Sequence, residues 1–265
     1  IANKESIICG WNLIKKELNK NKTEFIPVDS EHFSLWYGLK NIDINKIEEI
    51  YLTASGGPFH KTPLNNFKNI TIKDALKHPN WKMGKKISVD SATLINKIFE
   101  VIEAKNIFNI PYNKIKILIH PKSYIHAMIR TNDGLIKIIA HETTMKIPIF
   151  NTLNFENKKK IPFKKLNIIN LNNLSLEEAT EKRYPIIKLL KFIPNNHSLY
   201  ETIIVSANDV LVDLFLRKQI KFNQISNIFL KLINKIEFRK YKKKQPKNVK
   251  EIVDLNNYVR LKILE

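Results

Sequence analysis

Glycine is scarce in this chain, with six residues in 265, and none sits in a Gly-x-Gly-x-x-Gly pattern behind a strand. A dinucleotide-binding turn needs such glycines so that backbone can approach a pyrophosphate, and no strand–glycine loop–helix unit precedes Asn3. A single cysteine, Cys9, excludes an internal disulfide framework and fits a reducing compartment. Apolar runs long enough to span a bilayer are absent, and the amino end lacks the order of a signal peptide. We therefore expect a soluble protein with no membrane partner. Acidic residues are the minority, 25 against 45 Lys and Arg, for a formal net charge of +20. That excess raises nucleic-acid binding as a rival reading, since clustered cations supply sequence-independent affinity for phosphates. The lysines, however, are scattered among Ile and Asn, with no arginine-rich stripe, zinc-finger spacing or interleaved aromatics. The densest run, at 239–244, reads as a solvated helix end or loop, and no nucleic-acid partner is expected.

The chain is long enough to bury a sizeable core in one large or two smaller domains. Residues 7–18 read as a helix, and 24–28 as a short strand running into Asp29. Strand-length apolar runs recur at 47–54, which ends in a Gly56-Gly57-Pro58 turn, and at 114–119 and 135–140. Residues 151–182 read as a polar connector with room for a short strand at 161–169. From Tyr184 onward, apolar residues recur at helical spacing in four segments separated near Pro194, Lys218 and Pro246. The expected architecture is an α/β (α+β) catalytic domain with a mixed sheet, followed by an α-helical bundle. The boundaries are a junction at 1–24, the catalytic domain at 25–154, a linker at 155–182 and helices at 183–265.

The run HPNWKMGKKISVDSATLINKIFEVIEA at 78–104 carries the most chemistry. Apolar residues recur at helical spacing from Leu94, while Asn96, Lys97 and Glu100 share another face; Asp90 or Ser91 can cap the start. A helix start with a hydroxyl and a nearby lysine is a candidate phosphate site. In PVDSEH, at 27–32, Asp29 and Glu31 lie two apart, which on an extended strand end aims both carboxylates to one side. Close carboxylates repel unless a cation joins them, and Glu100 offers a third to a hard divalent ion. The plain alternative is that DSEH caps a helix. In TASGGPF, at 53–59, Gly56 and Gly57 let backbone approach an anion beside Ser55.

These three segments, with IANKES at the start, HPKSYIHAM at 120–128 and SAND at 206–209, make the chain resemble the 1-deoxy-D-xylulose 5-phosphate reductoisomerase family over nearly its whole length. The resemblance implies NADPH-dependent conversion of deoxyxylulose phosphate to methylerythritol phosphate in non-mevalonate isoprenoid synthesis. The implied route is retro-aldol cleavage and re-addition, then hydride delivery. It implies metal ligation of Mg²⁺ or Mn²⁺ by Asp29, Glu31 and Glu100, which also count as catalytic together with Lys4. Ser30, Ser55, His78, Ser91, Asn96 and Lys97 join Lys4, Glu31 and Glu100 as substrate contacts. Asn3, Glu5 and Gly84 match cofactor contacts, and Trp81 and Met83 a flap over the substrate. His120, Ser123, His126 and Met145 border the pocket in the same comparison, and a homodimer is implied. In the family, IANKES follows a complete NADPH-binding domain. The expectation is thus a carboxy-terminal portion that binds metal and phosphorylated substrate without turning over alone, cytoplasmic in a bacterial host or plastid in a eukaryotic one. Ile98 stands where the family carries a small residue after Asn-Lys, so altered packing is expected there.

Overall fold

A computed structural model describes residues 2–155, 160–161 and 168–264. The first strand, β1 (Ile47–Ala54), buries Ile47, Ile50 and Leu52 completely or nearly so. It pairs in parallel with β2 (Ile115–Ile119), setting Leu52 opposite Ile117, and antiparallel with β3 (Ile125–Thr131), setting Leu52 opposite Ala127. Adding β4 (Ile136–Ala140) and the two-residue β5 (Glu177–Glu178) gives a mixed five-stranded sheet in the order β4-β3-β1-β2-β5.

Helices α1 (Lys4–Lys20) and α2 (Ser30–Leu39) precede the sheet, and α3 (Ile72–Ala75), α4 (Lys85–Thr93) and α5 (Ile95–Phe108) form the crossover between β1 and β2. A parallel pair requires such a crossover. Helix α6 (Lys146–Leu153) lies between β4 and β5 in the chain. The carboxy-terminal part holds a 3₁₀ turn at Pro185–Lys191, then α7 (Tyr200–Leu216), α8 (Phe222–Ile233), α9 (Ile236–Arg239) and α10 (Val249–Leu264).

Helix α5 is buried on two sides. Val101 and Ala104 pack with Leu35, Ile50, Leu52, Ala127 and Ile129 on the sheet side. Ile95, Ile98, Phe99 and Ile102 join a second core with Ile8 of α1, Tyr200, Ile203 and Ile204 of α7, and Phe229 of α8. Ile98 is fully buried in that second core, so the bulkier side chain is accommodated by the carboxy-terminal helices.

The expected fold class, a mixed sheet with a carboxy-terminal helical region, is what the structure has. Local expectations differ at five places. Residues 24–28 form no strand, because Pro27 offers no N–H to a ladder and Asp29 starts α2 as its N-cap, accepting the Glu31 N–H at 3.3 Å. Strand β3 begins inside HPKSYIHAM and runs past it, with Ile125 through Ile129 all buried, so the alternation that marks a half-exposed strand is missing. The single helix expected from Leu94 is two helices joined at Leu94, whose φ is +69°, so Asp90 and Ser91 lie within α4 rather than at a cap. The connector gains β5, and part of it, including most of the strand expected at 161–169, lies outside the described residues. Of the four carboxy-terminal apolar segments, the first is a 3₁₀ turn and the third divides into α8 and α9. Among the described residues no helix is long and apolar enough to cross a membrane.

Between the two halves, the buried His197 sets Nε2 2.9 Å from the Ile8 carbonyl oxygen of α1, and burial pushes its pKa down to about 4. The folded state keeps this imidazole neutral, so it adds stability above the unfolded value of about 6.5 that is lost as pH falls toward 4. Buried Glu201 has the opposite sign, its carboxyl being raised to about 7 by burial. The diagnostic quantity is therefore a difference between proteins. Chemical denaturation at pH 7 and pH 5 should show His197→Asn, which keeps an amide donor for Ile8, losing about 2 kcal/mol less than the parent over that interval.

Candidate metal and phosphate site

The N-cap of α2, the first turn of α1 and one face of α5 converge on a cavity of about 630 Å³. Asp29 caps α2 and Glu31 lies one turn in, so both the capping reading and the carboxylate-pair reading of DSEH hold at once. One oxygen from each of Asp29, Glu31 and Glu100 lies within 4.8 Å of the others. Lys4 reaches this group from α1, its Nζ 3.2 Å from Asp29 Oδ2, 3.2 Å from Glu100 Oε1 and 2.9 Å from Asn96 Oδ1. Lys97 Nζ donates to Glu31 Oε1 at 2.6 Å and to Glu100 Oε2. Asn96 Nδ2 donates to Glu100 Oε1 at 2.6 Å, and Ser30 Oγ to Glu31 Oε2 at 2.5 Å.

Burial dominates the electrostatics and the partners decide the outcome. Desolvation opposes the Lys4 charge, yet Asp29, Glu100 and Glu103 together hold its pKa well above the usual value. Desolvation raises the Asp29 carboxyl, but Lys4 and His32 bring it well below the ordinary range. Glu100 is raised by burial and by Glu31. An all-oxygen trio with a raised carboxyl is short of positive charge, and its donors suit a hard ion such as Mg²⁺ or Mn²⁺.

Behind the trio lie two buried residues that the sequence reading did not single out. His32 sets Nε2 2.8 Å from the Glu100 carbonyl oxygen and Nδ1 3.3 Å from Asp29 Oδ1, with Glu103 Oε2 3.9 Å from the same Nδ1. His32 follows the acidic pair by one residue, and Glu103 follows Glu100 by three on the same helix; that one-turn spacing was the available signal.

The second half of the cavity is hydroxyl-rich. Ser55 and Ser91 line it with His78, Trp81 and Met83, while Asn96 and Lys97 line the cavity with their side chains bonded to the trio. His78 Nδ1 accepts the backbone N–H groups of Asn80 at 3.2 Å and Trp81 at 3.0 Å. A neutral ring, favoured because burial lowers its pKa, then carries its proton on Nε2 and donates to Ser55 Oγ at 3.1 Å. Ser55 Oγ also accepts from the Gly57 N–H at 3.1 Å, leaving its own hydrogen to point at a ligand. Residues 77–84 form neither helix nor strand, and Asn80 ties them to Ser123 Oγ at 2.7 Å.

At the cavity's other rim stand Asn3, Glu5 and Gly84. Asn3 caps α1, and Glu5 pairs with Lys86, which also holds Asp90 at 2.9 Å and Asp209 at 3.3 Å. A Cβ on Gly84 would meet nothing within 4 Å, so the space beside it is open to a bound group. Asn208 donates to Asp90 Oδ1 at 2.8 Å, which gives the SAND motif a structural task at the base of α4. Ser123, His126 and Met145 border the cavity, whereas His120 turns away to the Ser175 carbonyl oxygen at 2.9 Å. Apart from His120, the site residues named from sequence line this one cavity.

Fold and site define a class: an α/β domain in which three carboxylates within 4.8 Å of one another share a cavity with a cluster of hydroxyl, amide and imidazole groups. The comparisons specify it. A profile for the 1-deoxy-D-xylulose 5-phosphate reductoisomerase C-terminal domain matches residues 25–108, and one for the DXP reductoisomerase C-terminal domain matches 141–262. The chain is 59% identical over 263 residues to the reductoisomerase of Pelagibacter ubique, covering 99% of itself and 68% of that protein. It is similar to a solved DOX-P reductoisomerase in complex with NADPH, fosmidomycin and magnesium, with TM-score 0.89, 27% identity and coverage of 98% and 67%. It is also similar to the Zymomonas mobilis enzyme in complex with NADPH, with TM-score 0.85, 31% identity and coverage of 98% and 66%. This chain belongs to the 1-deoxy-D-xylulose 5-phosphate reductoisomerase family, and it spans about two thirds of the length of these relatives.

Buried Lys97 balances both Glu31 and Glu100, so Lys97→Met should lower unfolding free energy by about 3 kcal/mol, leaving Glu31 without this cation and Glu100 with Lys4. Mn²⁺ should restore part of that loss in a thermal melt, because a cation bound to the folded state takes over the neutralisation.

Proposed function

We propose that this chain supplies the metal-binding and substrate-binding part of an enzyme that isomerises and reduces 1-deoxy-D-xylulose 5-phosphate to 2-C-methyl-D-erythritol 4-phosphate with NADPH. The observation that carries this reading is the meeting, in one cavity, of the Asp29–Glu31–Glu100 trio with the Ser55, His78, Ser91, Asn96 and Lys97 group. Asp29, Glu31 and Glu100 would hold Mg²⁺ or Mn²⁺, which would supply Lewis-acid stabilisation of developing negative charge. NADPH would supply the hydride, with Asn3, Glu5 and Gly84 as the residues that would contact it.

Lys4 has the catalytic place among the cations. Its ammonium lies between Asp29 and Glu100 and stays protonated, so it can donate to a substrate oxygen at the metal end while Asn96 and the carboxylates fix its position. Ser30 orients Glu31 through its hydroxyl. Hydroxyls from Ser55 and Ser91, with the remaining N–H groups of the Asn96 amide and the Lys97 ammonium between them and the trio, would match a phosphate dianion. Binding that dianion away from the reacting carbons orients the substrate. Trp81 and Met83, on the irregular segment over the cavity, exclude water when the segment closes on substrate.

The same reading gives a homodimer in the cytoplasm of a bacterium. Strand β4 is the sheet edge and leaves Ile136 and Ile138 exposed, a surface that a second copy can cover. Mg²⁺- or Mn²⁺-dependent NADPH oxidation with deoxyxylulose phosphate should occur in a protein extended upstream through the native reading frame and not in this chain alone. Glu100→Gln should abolish it in the extended protein. A folded extended protein that shows no activity would sink the proposal.

A further inference from the structure

The Ser55 loop makes its structural contacts away from the cavity with residues that no functional motif includes. Gly56 and Gly57 both have positive φ, +81° and +68°. A Cβ on Gly57 would lie 3.0 Å from Ala92 Cα and 3.1 Å from the Ser91 carbonyl oxygen. The loop is therefore pressed against α4 beside Ser91, and a small shift in it changes the spacing of the two serines. Tyr184 is buried and donates its hydroxyl hydrogen to the Gly56 carbonyl oxygen at 2.9 Å. Arg183 Nη1 donates to the carbonyl oxygens of Phe59 at 2.8 Å and Thr62 at 3.0 Å. Phe59 is itself buried, in edge contact with Phe222 of α8 at 5.0 Å between ring centroids. Three backbone carbonyls of residues 56–62 are thus held by two consecutive side chains that lead into the carboxy-terminal helices. Tyr184 is also a stable donor, since burial pushes its phenol up to about 12.

We infer that Tyr184 and Arg183 are positioning residues for the phosphate of the substrate, setting the Ser55 loop against Ser91 from behind and so coupling the carboxy-terminal helices to substrate affinity. The inference rests on the phosphate assignment proposed above. Neither side chain lines the phosphate cavity, so neither touches the ligand. The effect falls on binding because the loop contacts one end of the substrate only, whereas the carboxylate trio and Lys4 stand on α2, α5 and α1. Tyr184→Phe removes one hydroxyl from a packed ring and leaves the Gly56 carbonyl buried without this donor, a loss worth about a tenfold change where it is transmitted to the ligand. Arg183→Gln tests the other half of the brace with a partly exposed side chain.

The test uses the upstream-extended enzyme, with KM for deoxyxylulose phosphate and kcat measured for the parent, Tyr184→Phe and Arg183→Gln, and with Mn²⁺ affinity and thermal midpoint measured alongside. The expected result is a KM raised about tenfold in Tyr184→Phe, with kcat and Mn²⁺ affinity within about twofold of the parent. Arg183→Gln should move KM in the same direction. Lowered thermal midpoints with unchanged KM in both variants would overturn the inference and leave a purely structural brace. A fall in kcat at constant KM would overturn it too, since the loop would then act on the chemistry. If the parent shows saturable turnover but Ser55→Ala leaves KM unchanged, the phosphate assignment itself fails, and the inference fails with it for that separate reason.

Discussion

Buried carboxylates that must be neutralised govern this molecule. Helix α5 lies between the sheet and the carboxy-terminal helices, where an amphipathic helix would carry only apolar side chains, and yet it buries Lys97, Glu100 and Glu103. Uncompensated, any one of these charges costs several kcal/mol. Compensation comes from three other places in the chain: Lys4 from α1, Asp29 and Glu31 from the start of α2, and His32 one residue further on. The site is consequently a condition for packing α1, α2 and α5 together, and disturbing it disturbs the fold.

The same requirement explains why the cluster is suited to a divalent ion. Three carboxylates within reach of one point are held together by two ammonium groups that bind from opposite sides, Lys4 on Asp29 and Glu100, Lys97 on Glu31 and Glu100. Glu100 remains raised despite both partners. An arrangement that still favours a proton on one member also favours a hard cation. Around Ser55 the cavity presents uncharged groups instead, the serine hydroxyl held by His78 Nε2 and the Gly57 N–H.

The carboxy-terminal helices are more than a support. They close the second face of α5, receive the ring of Phe59 and, through Asn208 and Asp209, hold the Lys86–Asp90 pair at the cavity rim. The departure of the chain from the family pattern, Ile98 on α5, lies on this interface, where the isoleucine is buried among helical neighbours.

The sequence by itself determined the chemistry-bearing residues. Asp29, Glu31, Ser55, His78, Lys97 and Glu100 stand in short contiguous motifs whose residue types and spacings carry the signal without any long-range information. Strands β1 and β2 were legible because each is a short apolar run bounded by turn residues. Strand β3 was not, since burial on both faces erases alternation, nor was the break at Leu94, where a left-handed leucine is paid for by its burial in the core rather than by any local preference. Only the tertiary structure decided that His32 and Glu103 stand behind the carboxylate trio, that Lys4 crosses 96 positions to reach Glu100, and that Tyr184 and Arg183 grip the Ser55 loop. Those are contacts between residues distant in sequence, and those of Lys4 and His32 exist because burying α5 on two sides leaves its charges no water and forces them to find partners elsewhere in the chain.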